Sequence, residues 1–463
     1  MKNLIAVATL ALLLLAEIIS AQPVRRHDEI KYSAGNKQTQ NIGPVYLSTD
    51  IENDYYIHGQ SIGHMYAEVR TTEKIHRNHE YRAPLNLSIV IDRSGSMAGE
   101  KLINAKKAAK HLIDELSSDD YVSVVIYDNS VSVLQPTTRV TNSNSIKNKI
   151  STITDGGGTN LMGGALRGYD EVKRSYKDGY INRVLLLSDG QANEGITNPR
   201  DIERIVGKQS RENGITISTF GLGHDYNEDL MTDMAETGNG NYYFIQNAND
   251  IIGIFDKELN GISNSIASNA SLKIILPQGV SIKKVFGYRY TQNGNVITVH
   301  MNTLFTNETK GILIRYEKNS GSTQGLQFSS SLSFNNDAKI GQQRITLYNT
   351  CNFTSNRRLY NSSFSEWVAA QITLYESNEQ LEYAMREADK GNYEKARTMV
   401  KKNKEYMQSK APLVQKSVEL QKAESINDSY DNSLLNIESM SSTEVKQIQK
   451  ASKASNYGVR NKK

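Results

Sequence analysis

A chain of 463 residues with 54 Lys+Arg against 50 Asp+Glu carries a formal charge of +4, too near balance to take nucleic acid as its main partner. Its single cysteine, Cys351, excludes an internal disulfide, so stability must come from packed cores, and the thiol is expected to be a small half-buried residue. The length leaves room for roughly two or three domains.

Residues 1–21 read as a secretory signal peptide, with Lys2, an apolar run from Leu4 to Ala16, and the small residues Ser20 and Ala21 before a cleavage point. The run is shorter than the roughly 20 apolar residues of a membrane span, although an uncleaved signal anchor is the alternative. No later segment is apolar enough to cross a bilayer, so the mature chain is expected without a transmembrane span. Export then places it in the periplasm, the cell envelope or the medium. Sequons at Asn86, Asn269, Asn307 and Asn361 are expected to be chance matches. Asn86 falls in an apparent buried strand, where a glycan would block folding, and this favours a bacterial exported protein.

Residues 22–42 are polar and expected to be irregular. From Gly43 to about Lys74 come short strand-like segments, "PVYLSTDI" and "GHMYAEVRTT". So few residues cannot bury a core alone and need partners elsewhere. From Ala83 apolar strands alternate with helical periodicity: "LNLSIVID", a helix over 100–117, "DYVSVVIYD", an edge strand near Val131–Val140, and a helix from about Leu161 to Tyr176. "NRVLLLSDG", a helix over 199–213, "TISTFGLG", a helix over 227–238 and "NYYFIQN" continue the series. Strands apolar on both faces, alternating with helices, predict a doubly wound, mostly parallel α/β sheet over residues 83–264.

After Ser265 short strands divided by Gly, Asn and Pro turns predict a β-sandwich. Residues 43–82 and 265–350 are expected to form it together, discontinuously, around the inserted α/β unit. Residues 365–425 read as helices. Residues 426–463 read as a flexible basic tail that can include a short helix at 443–453, with six Lys/Arg against one Glu from Ser441 onward. The "GNYEKA" turn resembles a single tetratricopeptide unit, although about three such repeats are needed to bury a core.

Ligands of doubly wound sheets bind beyond the carboxyl ends of the strands. There "DRSGSM" (92–97) follows one strand, "DGGGTNLMGG" (155–164) precedes a helix, and Asp189 ends another strand. Asp92, Ser94, Ser96, Thr159 and Asp189 can therefore converge from three surface loops. All five offer oxygen and none is a strong nucleophile unaided, so the set suits a hard cation, Mg2+ or else Mn2+ or Ca2+. Any one serine could instead cap a helix, but capping does not explain the five together.

The pattern D-x-S-x-S, then T, then D, resembles the von Willebrand factor type A family and its metal-ion-dependent adhesion site (MIDAS), over about residues 83–264. The resemblance implies that Ser94, Ser96 and Thr159 contact the metal, that Asp92 and Asp189 act largely through water, and that one edge strand is antiparallel. The wider arrangement resembles bacterial exported proteins similar to calcium-activated chloride channel regulators, and inter-alpha-trypsin inhibitor heavy chains. It implies an adhesion-type module, as a monomer or part of an envelope complex, whose bound cation coordinates an exposed Asp or Glu of a protein partner.

An envelope scaffold with a purely structural metal site is the alternative. A hydrolase is disfavoured. No G-x-S-x-G elbow or S-x-x-K surrounds Ser94 or Ser96, "HRNH" (76–79) lacks the glutamate of a metalloprotease, and glycines 156–158 lack the Lys-Ser/Thr of a phosphate loop.

Overall fold

The computed structural model describes residues 36–73, 83–223, 226–319, 321, 323–336 and 341–460; the signal-like residues 1–21 and the histidines of "HRNH" lie outside these. Strands β1 (Gln38–Ile42), β2 (Val45–Ile51), β3 (Tyr55–Tyr56) and β4 (Ile62–Thr71) come first. The α/β series runs β5 (Leu85–Asp92), α1 (Glu100–Glu115), β6 (Tyr121–Tyr127), β7 (Val131–Arg139), α2 (Ser143–Ser151) and α3 (Leu161–Arg174). It continues through β8 (Ile181–Ser188), α4 (Pro199–Asn213), β9 (Thr216–Leu222), α5 (Glu228–Thr237), β10 (Tyr242–Ile245) and α6 (Ile251–Ser263). Seven strands follow: β11 (Ser265–Ile275), β12 (Val280–Phe286), β13 (Thr291–Asn293), β14 (Val296–Phe305), β15 (Thr309–Lys318), β16 (Leu326–Asn336) and β17 (Gln342–Phe353). Last come α7 (Arg357–Ser362), α8 (Glu366–Asp389), α9 (Tyr393–Ser409), α10 (Ala411–Lys416), α11 (Val418–Leu435) and α12 (Ser442–Arg460). Contacts divide the chain into two compact units, one of residues 37–51 and 55–357, the other of Glu52–Asp54 with the chain from Arg358 onward.

In the first unit, the α/β sheet has the order β10-β9-β8-β5-β6-β7. Every pairing is parallel except β6 with β7, the antiparallel edge. Strands β5 and β8 are buried at all eight positions each, as strands covered by helices on both faces must be. Helix α1 turns Leu102, Ala105, Ala109, Leu112 and Ile113 into the core at helical spacing. Helix α4 is bounded by chemistry visible in the sequence. The Asn198 side chain accepts from the Arg200 amide at 3.0 Å, Pro199 takes the first turn, and Gly214 at φ 64 ends it. Strand order reverses at β5, so its carboxyl end lies at the crevice where such folds bind ligands.

The sandwich has sheets of order β1-β2-β4-β15-β12 and β13-β14-β11-β16-β17-β3. Early and late strands do pair. Strand β4 lies between β2 and β15, antiparallel to both, with Ile62 opposite Glu317 and Arg70 opposite Thr309. Leu47, Met65, Val69 and Ile314 of one sheet share a core with Leu272, Val299, Phe328 and Ile345 of the other. Cys351 is buried in that core, further than half-buried as expected.

Several expectations differ from the structure. Residues 38–42, read as irregular, form β1. Its mostly exposed residues gain order from the ladder to β2 and not from a buried face. Helices α2 and α6 have no counterpart in the sequence reading. Helix α2 buries only Ile146 and Ile150, too little to print a periodicity.

In the second unit, helices α8 to α12 share one apolar core containing Leu374, Met385, Val400, Tyr430 and Val459. The tail expected past Ser425 is instead the end of α11 and all of α12, a longer helix than the one expected at 443–453. Its polar composition misled because its polar side chains have partners. The Tyr430 hydroxyl donates to Gln449 at 2.9 Å, the Asn456 amide to the Asn378 carbonyl at 3.1 Å, and Lys453 meets Asp389 at 2.6 Å. Residues Glu52–Asp54 belong here too, since the Asn53 side chain donates to the Tyr360 carbonyl at 2.8 Å. Among the described residues no helix is long and apolar enough to cross a membrane.

Candidate metal centre

Asp92 is the last residue of β5 and lies beside Tyr127, the last of β6. Its Oδ1 accepts the Ser94 amide at 2.8 Å, and that bond folds the chain back so that Ser94 and Ser96 point the same way. Its Oδ2 accepts the Ser188 hydroxyl at 2.6 Å and the Tyr127 hydroxyl at 3.4 Å. The sequence places Asp92 and Asp189 on surface loops, yet both are 0% exposed. The Asp92 carboxylate organises its own loop, while the Asp189 carboxylate is covered by Ser96 and Lys101 from the first loop and α1. Burial pushes the Asp92 carboxyl up. The Ser188 and Ser94 hydrogen bonds pull it back down and the nearby Asp189 charge adds to the rise.

The Ser94 and Ser96 hydroxyls are 3.1 Å apart, and Ser96 donates to Asp189 Oδ1 at 2.7 Å. Ser94 precedes a short 3-10 helix but makes no side-chain capping bond, so the cap reading does not account for it. Thr159 comes from the glycine-rich loop. Its amide donates to Asn193 Oδ1 at 2.8 Å, and the next residue, Asn160, caps α3 by accepting from the Gly163 amide at 3.0 Å. The Gly95 amide donates to the Gly157 carbonyl at 2.9 Å, and the Gly156 amide to the Arg93 carbonyl at 2.6 Å, which zips this loop to the first. Arg93 adds an ion pair to Asp128 at 2.6 Å.

A Cβ on Gly190 would stand 3.0 Å from Thr159 Oγ1 and 3.6 Å from Ser96 Oγ. The third loop therefore packs closely on the other two, and a side chain at residue 190 would press on Thr159. On the opposite side α3 approaches just as tightly, since a Cβ on Gly164 would meet the Tyr127 ring at 2.5 Å. All five residues named from the sequence thus lie in one cluster: Ser94, Ser96, Thr159 and Asp189 gather around Gly190, and Asp92 anchors them from below.

Sequence reading missed Ser188 and Tyr127, which hold Asp92, Asn193, which holds the Thr159 loop, and Lys101, whose ammonium pairs with Asp189 Oδ2. A polar Ser188 directly after the apolar run Val184–Leu187 was the available signal.

The donor set fits a hard divalent cation. It offers three neutral hydroxyls and one carboxylate oxygen, with Ser96 hydrogen-bonded to both Ser94 and Asp189 and Thr159 beside Gly190. Soft ligands are absent from this cluster, and among the described residues no group of three His, Cys, Asp or Glu forms an alternative site.

Residues 86–257 match the family model of the von Willebrand factor type A domain. The uncharacterized protein YfbK of Escherichia coli (strain K12) is 33% identical over 219 residues, which are 47% of this chain and 38% of that one. Human inter-alpha-trypsin inhibitor heavy chain H3 is 25% identical over 283 residues, 57% of this chain and 30% of that protein. The chain thus spans well under half the length of either relative. In fold it is similar to a von Willebrand factor type A protein from Catenulispora acidiphila, with a TM-score of 0.67 at 17% identity, covering 85% of this chain and 91% of that one. Strand order, switch-point loops and family model agree that the α/β part of this chain is a von Willebrand factor type A domain, of a family that commonly mediates protein–protein interaction.

Proposed function

We propose that this chain is an exported, non-enzymatic binding protein that uses a divalent cation, Mg2+ or else Mn2+ or Ca2+, to grip an Asp or Glu side chain of a protein partner. The observation that carries the reading is the convergence of the Ser94, Ser96 and Thr159 hydroxyls with Asp189 Oδ1 around Gly190. A cation held there would keep a coordination position open to an incoming carboxylate. Three of the four donors are uncharged, so they would leave such a cation strongly electrophilic. Asp92 holds the first loop through the Ser94 amide and supplies negative charge beneath the donors. Ser96, exposed at the rim, is the donor nearest an arriving partner. Export rests on the reading of residues 1–21 as a signal peptide, and N-terminal sequencing of the mature protein tests it.

The test of binding is capture of a partner from envelope extract by the full chain, in Mg2+ and in EDTA. Capture in Mg2+ that is lost in EDTA, and lost again when the partner's critical acidic residue becomes an amide, is the expected result. Equal capture in EDTA would replace this reading with the scaffold one.

A further inference from the structure

Asp189 is 0% exposed, and its two oxygens have different occupations. Oδ1 accepts from Ser96 and faces the cluster, while Oδ2 is taken by the Lys101 ammonium. Lys101 stands in the first turn of α1, is 30% exposed, and is seated from both sides. Its Nζ lies 3.4 Å from the Ser96 carbonyl, and a Cβ on Gly223 would stand 3.3 Å from its Cε. A lysine on a surface pair is worth little, because water screens the pair and the side chain gives up rotamer freedom. This pair differs, since its carboxylate is wholly buried and a second carboxylate, Asp92, adds negative charge nearby. A buried anion needs a countercharge. Lys101 supplies one from within the chain, through the same carboxylate that a divalent cation would use.

We infer that Lys101 is a tethered cation that competes with the divalent ion for Asp189 and so sets the cation concentration at which the site loads. The inference rests on the reading of Ser94, Ser96, Thr159 and Asp189 as a cation site. Two positive charges cannot both approach one buried carboxylate without repulsion, so loading must push the ammonium outward, and its partial exposure gives it somewhere to go. Once the ammonium has moved, Asp189 gives both oxygens to the site. When the ion leaves, the lysine returns and the cluster keeps its charge balance and its shape.

The probe is Mn2+ alone, titrated calorimetrically into the full chain, Lys101→Met and Lys101→Arg, with thermal melts of each in EDTA and in saturating Mn2+. Lys101→Met should bind Mn2+ about tenfold tighter or more, because a competing charge-assisted bond is gone. It should also melt below the parent in EDTA and gain more from Mn2+ than the parent does. Lys101→Arg should behave as the parent. Equal Mn2+ affinity in parent and Lys101→Met overturns the inference and leaves the site standing, and weaker binding by Lys101→Met overturns it as well. Uptake by Lys101→Met alone supports it in its strongest form. No uptake by either protein removes the site reading and the inference together.

Discussion

Asp92 shows how one residue serves both fold and site. It ends β5, receives the Ser94 amide, and is held from beneath by Ser188 and Tyr127. Removing the whole side chain strands the Ser94 amide and the Ser188 hydroxyl, while Tyr127 keeps the Leu187 carbonyl at 3.2 Å, whereas an amide keeps an acceptor there. Asp92→Ala is therefore expected to lower stability by about 1–3 kcal/mol, the cost of leaving buried donors unpaired, while Asp92→Asn should cost much less. Both should weaken cation binding. Thermal unfolding in EDTA beside calorimetry separates the two effects, and equal destabilisation by both variants would contradict the assignment. Thr159→Ala makes the complementary case. It removes one donor without touching the Asn193 bond to the Thr159 amide, so it should reduce cation affinity with little change in melting.

The five clustered residues were legible in the sequence because Asp92 and Asp189 follow apolar strand runs, Ser94 and Ser96 stand in the loop after Asp92, and Thr159 stands in a glycine-rich loop. Their supports were not, since Ser188, Tyr127 and Lys101 acquire their part only when β5, β6, β8 and α1 are brought together. At the scale of elements, strands buried on both faces and helices with a wide apolar stripe could be read directly. Strand β1 and helix α2 could not, because pairing and two isoleucines hold them. Helix α6 was missed too, although it carries a deeply buried ion pair. There Glu258 meets Arg183 of β8 at 2.6 Å, both almost fully buried, with Ser218 and Asn241 as further donors to the carboxylate. Burial raises the Glu258 carboxyl, but the Arg183 charge and these hydrogen bonds outweigh it and leave it below its ordinary value of 4.5. A carboxyl with a lowered folded-state value adds stability that is present above about 4.5 and lost as the pH falls through that lowered value. Unfolding midpoints should therefore change little through this pair above pH 4.5 and fall below it, and Glu258→Gln should flatten that acid limb. Glu258→Leu alone should cost about 3–5 kcal/mol by orphaning Arg183, and the double variant Arg183→Met with Glu258→Leu should recover much of it. A double variant no more stable than the single would contradict this account of how α6 is held.

Across the whole molecule, the discontinuous sandwich follows from β4, which pairs with β2 on one side and gives its other side to β15 from the late strands. Its alternation was visible, and its joining the late strands was expected because so few residues cannot bury a core alone; its place between β2 and β15 was not legible. Deleting residues 43–71 should therefore unfold the sandwich and leave the α/β sheet with its own core. An excised 83–264 fragment should fold, yet melt below the full chain, because it gives up the Asn302 bond to Ser210 at 2.8 Å and the Arg289 pair with Glu203 at 3.0 Å. An unchanged sandwich transition after the deletion, followed by circular dichroism, would contradict the role given to β4. Of the C-terminal helices, the part past Ser425 was the least legible, because Asn, Gln and Tyr side chains paired inside a core look in sequence like a solvated surface.

The account as a whole turns on whether the oxygen cluster around Gly190 takes a divalent cation. Calorimetric titration of Mg2+ into the full chain and into Asp189→Ala asks this directly. The account predicts a single saturable site in the parent and none in Asp189→Ala, with Asp189→Ala still folded. Equal uptake by the two proteins, or none by the parent under conditions where it is folded, would contradict it.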